Sequence, residues 1–426
     1  MVIHTVRQGD TIYSLSRKYG TTVQKIIADN GLENINHLVI GQAIVIDVDS
    51  VRHTVLPGES LYSIARMYNT TVFRILGANE GITDPSSISV GQILIIPFAT
   101  EKSGTIEVNG YARTDIENTI LERTLPHLTY LSIFSYQVNP DGSLTAIQDG
   151  PLIEAARRQS VAPMMVITNI QEGGGFGSEL ANTILTNEAL QDTLLNNVIS
   201  IMEEKNYFGL DIDFEYIFPR DRENYNNFLK KAVDRLHSLG YIVTTALAPK
   251  TSGSQSGLLY EAHDYATHGL LADHVILMTY EWGYLMGPPR SVAPVNLVED
   301  VIQYAVSVMP SRKIFMGIPN YGYDWTLPYV QGTAARPLTN VGAVNLASQV
   351  GANIQFDKTA QSPFFNYYVR SGKQHIVWFE DARSIEAKLK LVAKYNLGGV
   401  SYWTVNSFFP QGWVVQNNMF NIRKVL

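Results

Sequence analysis

Tyr207-Phe-Gly-Leu-Asp211-Ile-Asp213-Phe-Glu215-Tyr216 is the stretch whose reading decides the fold. Side chains on a β-strand point to opposite faces in turn, so Leu210, Ile212 and Phe214 share one face. Asp211, Asp213 and Glu215 share the other, spaced by ~6.5–7 Å. An apolar face suits covering helices. Three acids in a row on the other face suit the inside of a barrel and its C-terminal mouth, where burial costs them several kcal/mol unless they serve a purpose. The alternative, an edge strand with a solvated acidic face, would suit an antiparallel sheet. Neighbouring carboxyls cannot all ionise easily, so at least one pKa must rise. A carboxyl still protonated near neutral pH can serve as a general acid to a leaving oxygen, and Glu215, nearest the mouth, is best placed to provide it.

Seven further β-rich runs accompany this one, separated by helical stretches. They are expected near 105–111, 130–134, 163–167, 242–247, 274–278, 313–318 and 399–403, with 208–214 fourth in order. Alternating strands and helices argue for a parallel sheet, and eight such units argue for an α/β (β/α)8 TIM barrel. The last two runs lie too far apart for a simple crossover, so a small α+β insertion is expected at about 324–376, with its own helix at 343–350. Placed beside the eighth strand, it would deepen the groove at the barrel mouth.

The acidic stretch resembles the Asp-x-x-Asp-x-Asp-x-Glu signature of glycoside hydrolase family 18, a substrate-assisted exception to two-carboxylate glycoside hydrolysis. The resemblance implies that Glu215 is proton donor and then base, that Asp213 orients the substrate's N-acetyl group, and that Asp211 tunes Asp213. Met278-Thr-Tyr280 resembles the family's Met-x-Tyr, which implies that Tyr280 hydrogen-bonds the N-acetyl carbonyl. Gly317-Ile-Pro-Asn320-Tyr321-Gly322 and Gly398-Gly-Val-Ser-Tyr-Trp403 resemble the seventh and eighth strands, with Asn320 and Tyr321 at the groove and Trp403 flooring the sugar pocket. A plain core role is the alternative for Trp403. Three departures stand out. Phe208 replaces the first Asp, Glu281 follows Tyr280 where the family has Asp, and Thr168-Asn169 with the loop Gly173-Gly-Gly-Phe-Gly177 stands near the place of Ser-x-Gly-Gly. Glu281 is expected to reach further towards substrate, and the glycine loop to be a flexible substrate loop.

Upstream, the chain repeats itself. His4-Thr-Val-x-x-Gly9-Asp10-Thr11-Ile12-Tyr13-Ser14 recurs 49 residues later as His53-Thr-Val-x-x-Gly58-Glu59-Ser60-Leu61-Tyr62-Ser63. Tyr19, Thr21, Thr22 and Asn30 recur as Tyr68, Thr70, Thr71 and Asn79, and Gly41-Gln42 as Gly91-Gln92. Each unit reads βααβ, with Asp10 expected to cap a helix running to Tyr19, Gly20 to end it, and Thr22 to cap a second helix. These units resemble LysM modules, which bind N-acetylglucosamine polymers. That implies contacts at Gly9, Asp10, Thr11, Ile12 and Leu38, and at Gly58, Glu59, Ser60, Leu61 and Ile88. For Asp10 and Glu59, helix capping alone is the plainer alternative. The domains are thus expected at 1–48, 49–98 and 99–426, with 100–104 a short polar linker.

The totals agree with this reading. The 426 residues are 45% hydrophobic and 17% charged, with net charge −7, so nothing favours nucleic acid. No cysteine is present, so disulfides and thiolate metal sites are excluded. His263, His268 and His274 lack helical metal-ligand spacing, and neither metal nor cofactor is expected. No export signal and no run of 18 apolar residues is visible, so no membrane association is expected.

Across its whole length the chain is similar to the spore cortical-fragment-lytic group of bacilli. This implies a monomeric N-acetylglucosaminidase in the spore that acts on cortex peptidoglycan fragments. Attack by a neighbouring N-acetyl group requires cleavage after N-acetylglucosamine, because muramic δ-lactam has its nitrogen tied up in a ring. The alternatives are a chitinase, a non-catalytic wall-binding protein, and a spore-coat structural protein.

Overall fold

Alternation of apolar runs with amphipathic helices resolves into a closed parallel barrel in a computed structural model, which describes residues 1–426 except Asn36, Asn69, Ala99, Thr100 and Glu172. The barrel strands are Thr105–Arg113, Tyr130–Val138, Ala162–Thr168, Gly209–Asp213, Ile242–Leu247, His274–Leu277, Ile314–Pro319 and Gly399–Trp403. Each pairs in parallel with the next, and the eighth pairs with the first to close the ring. The fourth strand is shorter than its alternating sequence: its ladder ends at Asp213, opposite Thr168, so Glu215 stands just beyond the sheet at the mouth.

The two faces of that strand part as alternation requires. Leu210, Ile212 and Phe214 are buried in the outer core between strands and helices. Phe214 stacks on Phe228 of the following helix, Arg222–His237, with ring centroids 5.9 Å apart. Burial of one such side chain contributes about 1.5–3 kcal/mol. The barrel interior is filled by Tyr111, Tyr130, Met164, Val166, Ala246, Ile276 and Phe315. Phe208 packs with this inner layer, its ring 6.2 Å from that of Tyr130.

Between the seventh and eighth strands lies a five-stranded antiparallel sheet. Its first and last strands in sequence are Gly322–Leu327 and Gln374–Trp378, and the helix Asn340–Val350 covers it. Asp324 ties it together, accepting hydrogen bonds from His375, Tyr367 and Arg336.

The two N-terminal repeats are βααβ units, Val2–Ile46 and Ser50–Pro97, each closed by one antiparallel strand pair. Here capping differs from expectation. Thr11 and Ser60, one residue after Asp10 and Glu59, cap the first helices, each in a capping box with Ser14 or Ser63. Asp10 and Glu59 turn inward instead, onto His4 Nε2 (2.8 Å) and His53 Nε2 (2.7 Å), while Tyr19 and Tyr68 hold the other ring nitrogens. That shared triad explains why His, acid and Tyr recur at fixed spacing. Thr22 caps the second helix and Gly20 ends the first, as expected. Of the expected linker, Thr100 lies outside the described residues; beyond it, Ser103 N–H donates to the Met419 carbonyl.

The repeats differ in surroundings. Asn30 and Asn79 each bridge a helix to the last strand of their unit. In the first repeat, Gln411 of the barrel's last helix adds bonds to Asn30 Oδ1 (2.9 Å) and the Ala43 carbonyl (2.8 Å). Ile354 N–H donates to the Ile40 carbonyl, Arg383 donates to that of Gly41, and Val39 joins the core of the insertion. Gly41 and Gly91 both have φ near +87°. A β-carbon on Gly41 would meet the Ile354 carbonyl oxygen at 1.8 Å, whereas one on Gly91 would meet nothing within 4 Å. Gly91→Ala is therefore expected to cost only the left-handed backbone penalty, about 1–2 kcal/mol. Gly41→Ala should cost a further ~1–3 kcal/mol from overpacking, with urea unfolding of the two variants as the measurement.

Candidate active site

The acidic row is dry at its base and opens upward. Asp211 is fully buried and accepts hydrogen bonds on both oxygens, from Tyr111 Oη at 2.5 Å and Thr244 Oγ1 at 2.7 Å. Thr244 lies in register with Asp211 on the fifth strand, and Tyr111 reaches across from the first. Burial raises the Asp211 pKa to about 6, and the two hydroxyl bonds restrain the rise. Asp213 is pushed well above the usual carboxylate range, first by burial and then by the charges of Glu215 and Asp211. Its Oδ1 is buried with no hydrogen-bond partner. Glu215 is half-buried at the mouth, and desolvation raises its pKa to about 7.

Around this row lies a cleft of about 560 Å³. Asp213, Glu215, Tyr280, Glu281 and Trp403 all line it, together with Tyr111, Phe134, Met278 and Ala246. Trp403 meets Tyr111 and Phe134 edge-on, at 5.4 and 4.8 Å, which fixes its indole as a flat apolar wall. Gly317 makes room for the sixth-strand end: a β-carbon there would come within 2.8 Å of the Tyr280 ring. Burial and the charges of Asp213 and Glu215 raise the Tyr280 hydroxyl well above its usual range, so it stays a donor. Loops after the third, fifth and sixth strands add Ile170, Phe176, Leu259, Tyr260, Trp282 and Tyr284, and the insertion adds Tyr323. Tyr216 and Glu281, both on the wall, have φ of 54° and 67°. Non-glycine residues adopt this left-handed region at a cost, and such strain gathers at functional sites.

Most of the expected barrel residues thus meet in one cleft, with Asp211 directly beneath. Tyr321 stands behind the wall, its hydroxyl donating to Glu281 Oε1, which Tyr323 also holds at 3.0 Å. Glu281 is therefore braced by two phenols. Asn320 does not reach the cleft: it is buried, and its amide donates to the carbonyls of Thr404 and Ser407, both at 2.8 Å, so it fixes the loop after the eighth strand. Phe176, from the glycine loop, lies on the cleft beside Tyr216, with ring centroids 6.3 Å apart.

The expected sugar contacts of the repeats lie on the N-terminal units, apart from this cleft. Gly9, Thr11, Gly58 and Ser60 are exposed, Asp10, Glu59 and Ile88 are partly so, and Ile12, Leu38 and Leu61 are buried in the module cores. Sequence reasoning missed Tyr111 and Thr244. Their signal was alternation on the first and fifth strands, since Tyr111 follows Glu107 and Asn109 on the inward face of the first.

Comparisons with known proteins agree with this geometry. Residues 107–407 match the glycosyl hydrolases family 18, and residues 4–47 and 53–97 each match the LysM domain. The chain is 44% identical to the cortical fragment-lytic enzyme of Bacillus subtilis (strain 168), over 100% of this chain and 99% of that protein. It is 41% identical to the enzyme of the same name from Bacillus anthracis, over 99% of each. The crystal structure of the Bacillus megaterium QM B1551 spore cortex-lytic enzyme SleL superposes with a TM-score of 0.91, at 39% identity, covering 100% of this chain and 99% of that one.

Removing the Tyr111 hydroxyl takes one donor from a buried carboxylate. Tyr111→Phe is therefore expected to raise the Asp211 pKa above its value of about 6. Carbon-13 NMR titration of the labelled carboxyls measures it, and an unchanged midpoint would show that the phenol does not restrain Asp211.

Proposed function

The chain belongs to the glycosyl hydrolases family 18 and carries two LysM domains, and from that premise we propose that it cleaves β-1,4 bonds after N-acetylglucosamine in spore-cortex peptidoglycan fragments. The observation that carries the reading is the carboxyl row ending in an aromatic cleft, in a chain similar from end to end to cortical fragment-lytic enzymes.

In this reading Glu215, protonated up to about pH 7, gives its proton to the glycosidic oxygen as the C1–O bond breaks. The N-acetyl oxygen of the same sugar attacks C1 and forms an oxazolinium ring. Asp213 receives the acetamido N–H on its unpartnered oxygen and stabilises the developing positive charge. Asp211, kept in place by Tyr111 and Thr244, tunes Asp213. Tyr280 donates to the acetamido carbonyl, and Trp403 supports the sugar's apolar face. Glu215, now a carboxylate, takes a proton from water, which attacks C1 from the side the leaving group vacated as the C1–O bond to the N-acetyl oxygen breaks and the acetamido group is restored. The β-configuration is retained.

Residues 1–48 and 49–98 are the two polymer-binding modules and 99–426 the catalytic domain. The enzyme works as a monomer in the spore, and the LysM contacts sit at the exposed loops Gly9–Thr11 and Gly58–Ser60.

Digestion of purified cortex fragments, with mass spectrometry of the new reducing ends, tests this. Wild type should release reducing-terminal N-acetylglucosamine, and Glu215→Gln should lose ~10²–10⁴-fold in kcat. Reducing-terminal muramic acid, or equal products from the variant, would overturn the assignment; cleavage of chitin oligomers but not cortex would favour a chitinase. The active form carries the proton, and burial has raised its pKa. The kcat/KM profile should therefore hold up to about pH 7 and fall roughly tenfold per unit above it.

A further inference from the structure

Glu215 stands two residues past the last ladder pair of its strand, where no neighbouring strand serves its backbone. One buried side chain serves it instead. Asn169, just beyond the third strand, accepts the Glu215 N–H on Oδ1 at 2.9 Å and donates through Nδ2 to the Glu215 carbonyl, also at 2.9 Å. A primary amide pairs with a peptide unit in this way as a short piece of strand would. The same Nδ2 reaches the Gly177 carbonyl at 3.2 Å, and Gly177 N–H returns a bond to the Asn169 carbonyl at 2.8 Å. Next along, Ser178 Oγ donates to the carbonyl of Tyr216. The glycine loop between these anchors carries Ile170 and Phe176 onto the cleft wall.

We propose that Asn169 is the positioning residue of the proton donor: its amide replaces the missing strand partner of Glu215 and couples the donor's placement to the loop at 170–177. This rests on the reading of Glu215 as the acid. Catalytic groups work only within a narrow window of position, and among the described residues Asn169 alone hydrogen-bonds both backbone groups of residue 215. The positive φ of Tyr216 is held from the same side. Without Asn169, the Glu215 N–H and C=O lose their partners together, and the segment past the strand can move outward into solvent.

The test uses the full chain on cortex fragments, with Asn169→Ala, Asn169→Asp and Ser178→Ala. Asn169→Ala should lose on the order of 10–100-fold in kcat with KM within a few-fold of wild type. The alkaline limb of its kcat/KM profile should move to lower pH, because a looser Glu215 is better hydrated and gives up its proton sooner. Asn169→Asp keeps the acceptor for the N–H but sets a carboxylate against the Glu215 carbonyl, and should do no better than Ala. Ser178→Ala, at a half-buried position, should move both readouts the same way to a smaller extent, and it decides the matter if the Asn169 variants do not fold.

A kcat within twofold of wild type in Asn169→Ala overturns the proposal. So does a loss of kcat with the alkaline limb unmoved, since that is what a merely structural residue would give. If the Asn169 variants do not fold, an unaltered Ser178→Ala overturns it as well. Full activity in Glu215→Gln, measured alongside, would instead overturn the acid assignment, so the two failures are distinguishable.

Discussion

The cost of keeping carboxyls dry shapes the barrel. Among the described residues, no basic side chain bonds Asp211, and its two oxygens accept from the hydroxyls of Tyr111 and Thr244. A hydroxyl stabilises a carboxylate less than a cation would, so desolvation prevails and the row shares fewer protons than it has oxygens wanting them. Of the two groups above, Asp213 is raised first by burial and then by the charges of both neighbours, whereas Glu215 is raised by burial. Trp403, Phe134 and Tyr111 are thus electrostatic elements as well as sugar platforms, because they exclude the water that would otherwise screen the row.

A second constraint follows where the sheet stops. Parallel strands satisfy the backbone only as far as their neighbours extend, and here the ladder ends before the residue at the mouth. The chain is held beyond that point by side chains and by loops from other elements: Asn169 beside residue 215, Asn320 under the eighth-strand loop, and Tyr321 with Tyr323 against Glu281. The backbone at the mouth is therefore held by polar contacts between different loops, whereas the strands beneath it hold one another through the ladder.

That division decides what could be read from the chain alone. Periodicity is local, so the fourth strand's alternation, the eight β-rich runs, the inserted segment and the tandem repeats were all legible. One short run, Asp211 to Glu215, supplied the carboxyl row, with Asp213 and Glu215 on the cleft. Tyr111 and Thr244 were not legible as partners of Asp211: Thr244 depends on the register between the fourth and fifth strands, and Tyr111 on a reach across the barrel from the first strand. Asn320 failed for the opposite reason. Its neighbours in sequence belong to the groove, but its side chain turns to the backbone of Thr404 and Ser407. Asp10 and Glu59 sit where a cap is common, and a histidine across the module claims them instead.

The closeness of Gly41 to the Ile354 carbonyl has a consequence for how such a chain can change over evolutionary time. Sequence repetition makes the two N-terminal units look like interchangeable beads. Yet the first has surrendered part of its surface to the barrel: Ala43 and Val45 are counted in the barrel's own core, and Val39 in that of the insertion. The second leans on the first through Val2, Tyr19 and Val48, but its flank at Gly91 is open. Exchange of the second repeat therefore has to preserve only that apolar contact, while loss of the first would uncover apolar surface on the catalytic body. The seam along which this architecture can be cut and respliced runs between the two repeats, not between the repeats and the enzyme.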